Sequence, residues 1–500
     1  RGPSTRSAGL ILHPTSLPGR FGIGDLGPSA ERFLDWAASA GQTLWQVLPL
    51  GPTGSGASPY ANASAFAGNP LLLSPERLVE EGFLSASSLE DVPQFDDDRV
   101  EWNRVRSWKE RLFRCAWERA RESARVREGI TAFRTAHAQR GWLSDWSLFA
   151  ALSERSPRSE WPREIELRDP SALASARNAL APEIEYQDFL QLLFFGQWER
   201  LRVRAARLGV SILGDVPIYV ASGSADVWAR PDLFALDPNG RALEVAGVPP
   251  DFFSETGQLW GYPLYRWDRM EADDFSWWIE RLRAAFRTAD ILRIDHFRGL
   301  VTYWAVPAGE TTAINGRWRS GPGRKLFDAV RRALGDVPLV AEDLGTITPD
   351  VRVLLEELAI PGMNVLQFAF YEPDSPYLPH RYFRNAVVYT GTHDNDTARG
   401  WWKSLDTESR QRASDYLGTD GNEIEWDLIR TAYASVADRA VVPVQDVFGL
   451  ESEGRMNTPA LAEGNWAWRA REEDFRPERA ARLARLAQLT GRLRSSLSVG

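Results

Sequence analysis

Short apolar runs recur along the chain, each closing on polar residues and followed, after a loop, by apolar positions at helical spacing. Eight stand out: GLILHPTS (9–16), TLWQVLPLG (43–51), SILGDVPIYV (211–220), ILRIDHF (291–297), PLVAEDLG (338–345), NVLQFAF (364–370), AVVYTGTHDND (386–396) and AVVPVQDVFG (440–449). Strands buried on both faces lose the in-out alternation and read as continuous apolar runs, the pattern of a parallel sheet. Eight of them separated by helices predict the α/β class and a (β/α)8 TIM barrel, with residues 1–500 forming one barrel domain.

The intervening stretches carry helix signals. Ser29 is the expected cap of a helix bearing Phe33, Leu34, Trp36 and Ala37, which Gly41 ends. Thr348 followed by Pro349 opens another, with Val351, Leu354, Leu355 and Leu358 on one face. Phe189, Leu193, Phe194, Trp198, Leu201 and Ala205 mark a third, ending at Gly209. Two gaps exceed a simple crossover. Between the second and third runs the apolar spacing around Val105, Trp108, Leu112 and Ala116, and again from Leu148 to Leu152, predicts a mainly helical insertion, assigned to 70–190. Between the third and fourth runs, 221–275 is rich in Pro, Gly and Asp and predicts a loop insertion without regular structure on the C-terminal face of the barrel.

Composition narrows the function classes. A net charge of -9 argues against a nucleic acid or an anionic membrane as partner and favours a neutral small substrate. The single cysteine, Cys115, excludes an intrachain disulfide and fits a reducing compartment, with the cytoplasm as default. No apolar run reaches the length of a membrane span, and the first residues lack the apolar core of a signal peptide. A monomer is the default state.

Three apolar runs lead into acids: Asp295 in RIDHF, Glu342 in AEDLG and Asp394 in GTHDND. One such acid is commonly a solvated loop start or an ion pair. Three on separate strands of one barrel converge on the face from which this fold presents catalytic groups. Glycosyl transfer is the chemistry that uses converging carboxylates alone, one attacking the anomeric carbon or assisting water, another protonating the leaving oxygen. The competing metal site built on His296 and His393 lacks HxH or HExxH spacing, and neither GxxxxGK[ST] nor GxGxxG after a strand is present, so no metal or organic cofactor is expected. Aromatics in turn-rich segments agree with a sugar ligand: Tyr60, then Phe252, Phe253 and Trp260, then Trp466 and Trp468.

With these segments in view, the chain resembles glycoside hydrolase family 77, the amylomaltases or 4-α-glucanotransferases. The likeness runs through LHPTSLPGRFGIGDLG, WQVLPLGPTG, GDVPIYV, VAGVPPDFFSETGQLWGYPLYRW, LRIDHFRG, VAEDLGTITP, YTGTHDNDT, VQDVFGL and RMNTPA with GNWAWR. The resemblance implies a retaining double displacement between malto-oligosaccharides serving as donor and acceptor, with Asp295 as nucleophile, Glu342 as general acid/base and Asp394 as the third carboxylate. It implies that Arg293 keeps Asp295 ionised, that His393 and Asp215 bind donor-sugar hydroxyls with His296 adjacent, and that Tyr60 stacks there with Ser58 close by. Asp251, Ser254, Gln258 and Trp260, with Phe252 and Phe253, belong to a loop over the cleft, and Asn465 lies on the far rim. Asp343 is expected to be structural. Phe252 stands where the family usually has Tyr, which removes a hydroxyl, and the insertion between 80 and 185 matches only loosely. A retaining α-1,4-glucan hydrolase and a catalytically silent glucan-binding protein are the alternatives.

Overall fold

The computed structural model describes residues 6–54, 56–138, 141–250, 254–459 and 461–493. Eight parallel strands form the central sheet: β1 (Ser7–Ile11), β2 (Leu44–Gln46), β3 (Ser211–Val216), β4 (Ile291–Ile294), β5 (Leu339–Ala341), β6 (Gly362–Val365), β7 (Ala386–Tyr389) and β8 (Arg439–Pro443). They run in the order β6-β7-β8-β1-β2-β3-β4-β5. Between the two outermost strands the Ala341 N–H donates to the Pro361 carbonyl at 2.9 Å, which brings the sheet almost to closure. The expected TIM barrel is present.

Strand periodicity explains the interior. Ile11, Leu44, Leu213, Val340, Met363, Val387 and Val441 fill the lower part of the barrel with apolar side chains. Two residues further along their strands, the inward positions turn polar: Gln46, Asp215, Glu342 and Tyr389 stand above Leu44, Leu213, Val340 and Val387. The Tyr389 hydroxyl donates to Gln46 Oε1 at 2.9 Å, so this upper layer is tied together across the barrel. The apolar layer supports a polar one on the face where the strands end.

Crossover helices lie where the spacing placed them, at Pro28–Ser39, Ala181–Arg207 and Pro349–Leu358. Thr348 is an N-cap with Pro349 behind it. Ser29 is not a cap: Gly27 occupies that position and Pro28, whose missing N–H costs a helix nothing in its first turn, begins the helix. Several apolar runs outlast their strands. NVLQFAF leaves the strand after Val365 for a 3-10 turn at Leu366–Phe368, and AVVPVQDVFG becomes helical at Val444–Phe448. Both tails are largely buried, with apolar Leu366, Val444, Val447 and Phe448 among them, which a run of that kind shares with a strand.

Helices Trp102–Ala120, Ala124–Ala138 and Trp142–Arg155 lie between β2 and β3, and the exposed Cys115 sits on the first of them. The stretch expected to lack regular structure contains it. Glu244–Val248 and Gln258–Pro263 pair antiparallel, and with Thr302–Pro307 and Arg317–Ser320 they make a separate four-stranded sheet. Its glycines are structural: a Cβ on Gly247 would lie 2.6 Å from the Gln258 carbonyl, so the close pairing needs glycine there. No helix among the described residues is long and apolar enough to cross a membrane.

Candidate active site

The site begins with two residues paired across β3 and β4. Asp215 and Arg293 are register partners, and Arg293 Nη1 donates to both oxygens of Asp215 at 2.8 and 2.7 Å. The other guanidinium nitrogen, Nη2, lies 3.1 Å from Asp295 Oδ1, two residues along the same strand face. Burial opposes the charge on Arg293, yet Asp215 and Asp295 outweigh it and hold the guanidinium more firmly protonated than usual. Asp295 differs from Asp215 in access. Its side chain is 26% exposed and that of Asp215 is 0%, so of the two carboxylates it is Asp295 that opens to the cleft.

Glu342 stands beside Asp295 because the β4–β5 ladder continues one step beyond its paired residues. Ile294 is opposite Ala341, the Glu342 N–H donates to the Ile294 carbonyl at 3.0 Å, and the Phe297 N–H donates to the Glu342 carbonyl at 3.0 Å. Both carboxylate oxygens are held by backbone: the His296 N–H donates to Oε2 at 2.7 Å and the Leu344 N–H to Oε1 at 2.9 Å. His296 adopts φ 49°, a left-handed conformation that aims this N–H inward. Burial raises the Glu342 carboxyl above its ordinary range, against the pull of Arg293 and the two N–H donors. Burial likewise raises Asp295, with Arg293 opposing it and Asp215, Glu342 and Asp394 adding to it.

Asp394 lies on the loop after β7. Its Oδ1 accepts from Asn457 Nδ2 at 2.7 Å, its backbone carbonyl accepts from Arg455 Nη2 at 2.8 Å, and its Oδ2 lies 3.4 Å from His393 Nε2. Burial lowers the pKa of His393, opposed by Asp394, and burial with Arg298 nearby brings His296 to about 3, so both imidazoles are neutral at pH 7. A neutral imidazole offers one donor and one acceptor nitrogen.

Aromatic walls flank the carboxylates. Tyr60 stacks on His393, with ring centroids 5.2 Å apart and planes 16° from parallel, and Trp466 packs against both at 5.8 and 5.9 Å. The Tyr60 hydroxyl donates to Asp215 Oδ2 at 2.6 Å. Across the site Trp260 meets His296 edge to face at 4.7 Å and Tyr219 at 6.3 Å. The structure thus brings together Tyr60, Asp215, Arg293, Asp295, His296, Glu342, His393 and Asp394, with Trp260 at the edge.

The other expected residues are engaged locally. Ser58 Oγ accepts from the Tyr60 N–H at 3.2 Å, Ser254 Oγ donates to the Gly257 carbonyl at 2.8 Å, and Gln258 Oε1 accepts from Trp260 Nε1 at 3.1 Å. The Asn465 side chain closes its own loop, accepting from the Thr458 N–H and donating to the Leu461 carbonyl, both at 2.8 Å. Asp343 Oδ1 accepts from the Met363 N–H at 2.7 Å and links β5 to β6. Asp251, Phe252 and Phe253 lie outside the described residues. Asn457 and Arg455 carry no expectation from the sequence, since they sit on a loop far along the chain. Their only signal is their place in RMNTPA, beside GNWAWR. Among the described residues, no group of three or more His, Cys, Asp and Glu side chains is arranged to hold a metal ion.

Comparison with known proteins bears on the chain as a whole. Residues 12–474 match the family profile described as 4-alpha-glucanotransferase, glycoside hydrolase family 77. The chain is 47% identical to the 4-alpha-glucanotransferase of Synechocystis, over 97% of this chain and 98% of that protein. It is also 47% identical to the 4-alpha-glucanotransferase of Thermus thermophilus, over 98% and 99%. The solved amylomaltase from Streptococcus agalactiae in complex with acarbose superimposes with a TM-score of 0.94 at 36% identity, over 97% of this chain and 99% of that one.

Proposed function

The chain belongs to glycoside hydrolase family 77 and is a 4-alpha-glucanotransferase, and from that premise we propose that Asp295, Glu342 and Asp394 carry a retaining double displacement on α-1,4-glucans. In the first half, Glu342 gives its proton to the glycosidic oxygen while Asp295 attacks the anomeric carbon, forming a β-glycosyl ester and releasing the reducing-end fragment. In the second half, Glu342 takes the proton from the 4-hydroxyl of an acceptor glucan, which attacks the ester and restores the α-linkage. An acceptor hydroxyl within the same chain gives a cycloglucan.

The observation that carries this assignment is the division of Arg293 between Asp215 and Asp295. Several carboxyls share one buried cluster, so they cannot all be ionised at little cost. The guanidinium directly beside Asp295 favours the negative charge there. Burial raises both Asp295 and Glu342, so the division of roles rests on geometry: Arg293 lies directly against Asp295, whereas the oxygens of Glu342 are met by the neutral His296 and Leu344 N–H groups, which leaves Glu342 to carry the proton. Asp394, with Asn457 on one oxygen and His393 near the other, is suited to hold sugar hydroxyls as positive charge builds at the anomeric carbon. Tyr60 offers a ring face to the donor sugar, and Trp260 lies at the acceptor edge.

On this reading 70–190 is a helical insertion beside the cleft, 221–275 carries the segment that covers it, and the enzyme acts as a cytoplasmic monomer on starch- or glycogen-derived maltodextrins without a cofactor. Incubation with pure maltotriose followed by product sizing tests it. Glucose together with a ladder of longer oligomers supports transfer, while maltose and glucose alone would make the enzyme a hydrolase.

A further inference from the structure

A small cavity of about 30 Å³ is lined among others by His13, His393, Asp396, Gln445, Asp446 and Arg455. Its acids are already satisfied. Asp446 accepts from the Thr390 hydroxyl and the Ala398 N–H, and Asp396 from the Thr397 N–H and the Ser452 hydroxyl. Gln445 Nε2 donates to the Gly454 carbonyl, and Arg455 donates to the carbonyls of Asn457 and Asp394. Of the buried side-chain nitrogens and oxygens in this lining, His13 Nδ1 and His393 Nδ1 have no hydrogen-bond partner in the protein. Both residues are 6% exposed.

We infer that a water molecule held in this cavity joins His13 Nδ1 to His393 Nδ1, and that His13 is a positioning residue which fixes the tautomer and ring orientation of His393. The volume suffices for one water, which needs polar partners to stay in a buried site. A neutral imidazole has one donor nitrogen and one acceptor. For His393 to turn an Nε2–H toward Asp394, 3.4 Å away, its Nδ1 must be the acceptor and needs a donor. His13 in the Nδ1–H form donates to the water, and the water donates to His393 Nδ1. Burial, with His393 nearby, lowers His13 to about 3, which keeps it neutral and able to play this part. The relay runs from the end of β1 through the floor of the donor site, and Tyr60, stacked on His393, fixes the plane of its ring.

The inference deepens the proposed function and rests on it for the importance of His393, but its test does not require turnover. The chain has five histidines, so ¹⁵N-imidazole spectra of the full-length enzyme are tractable, with His393 assigned by comparison with His393→Gln. The expected wild-type spectrum has His393 protonated at Nε2 with Nδ1 accepting a hydrogen bond. In His13→Leu the His393 signals should become a mixture of tautomers. Loss of one hydrogen bond at this site should then lower kcat on maltotriose roughly tenfold, with KM changed less than about threefold. His13→Asn sets an amide N–H where Nδ1–H stood and should recover most of the loss. A wild-type His393 protonated at Nδ1 would overturn the inference whatever the variants do, and so would an unchanged tautomer in folded His13→Leu. An enzyme that shows the expected tautomers but makes no longer oligomers would instead count against the glucan-transfer reading alone.

Discussion

Arg293 and Asp215 are opposed on neighbouring barrel strands, and one guanidinium nitrogen bridges both carboxylate oxygens at 2.8 and 2.7 Å. Asp215 is thereby sealed from solvent while the second nitrogen remains free to meet Asp295 at 3.1 Å. The pair works as a fixed mount: Asp215 and Tyr60 set the guanidinium, and the guanidinium sets the carboxylate on which the ester is proposed to form.

Arg293→Lys retains a charge but not the planar fork, and a single ammonium cannot span two carboxylates in this geometry. We expect kcat to fall on the order of 10²-fold, as for other preorganised electrostatic groups. Arg293→Met leaves buried carboxylates without their counter-ion and should cost about 3–5 kcal/mol of stability at neutral pH. Steady-state kinetics on maltotriose and thermal unfolding check the two together. A stable, active Arg293→Met would refute the mount.

Asn457 holds one oxygen of Asp394 at 2.7 Å. Asn457→Ala should lower kcat/KM roughly tenfold through loss of that hydrogen bond. Asn457→Asp sets a second carboxylate against Asp394 and should be worse than the alanine variant. The reverse order would mean that the contact is incidental.

Trp260 packs against His296, next in sequence to the expected nucleophile. If it shields the ester from water at the acceptor side, Trp260→Ala should weaken acceptor binding and raise hydrolysis relative to transfer. Reducing-end release measured alongside oligomer redistribution reads that ratio. A fall in both reactions with an unchanged ratio would mean that Trp260 only packs the segment.

His13 contributes to the pH dependence of stability. Its folded pKa of about 3 lies below the ordinary histidine value of 6.5, so the unfolded chain binds a proton there first on acidification. The stability it provides is present above about pH 6.5 and is lost as pH falls toward 3. Between pH 7 and 5 that amounts to about 2 kcal/mol. In denaturant titrations His13→Asn should therefore lose about that much less stability than wild type over this interval. Equal losses would place the depressed titration elsewhere.

The barrel was legible because its strands are buried on both faces and therefore read as unbroken apolar runs. The same property misled at the ends: Leu366–Phe368 and Val444–Phe448 are buried but turn away from the sheet. The second sheet escaped notice because Gly247 and Gly261 interrupt its strands, although Gly247 is there to allow close pairing. Asp295 and Glu342 announced themselves by closing apolar runs. Asn457 and Arg455 could not, since the fold alone brings them to Asp394 from a loop after β8. His13 was hidden for a different reason, being an ordinary polar residue at a strand end until its buried, unpartnered nitrogen is found in the lining of the cavity that His393 also lines.

The account stands on Asp295 as the atom donor to a covalent glycosyl ester. Its most direct test is peptide mass spectrometry of the Glu342→Gln enzyme after reaction with a maltosyl fluoride, whose leaving group needs no acid, so that the ester forms but is slow to transfer. The account predicts a maltosyl label on Asp295 when the donor is the α-fluoride. A label on Glu342→Gln enzyme found at Asp394, or release of inverted product without any label, would contradict it.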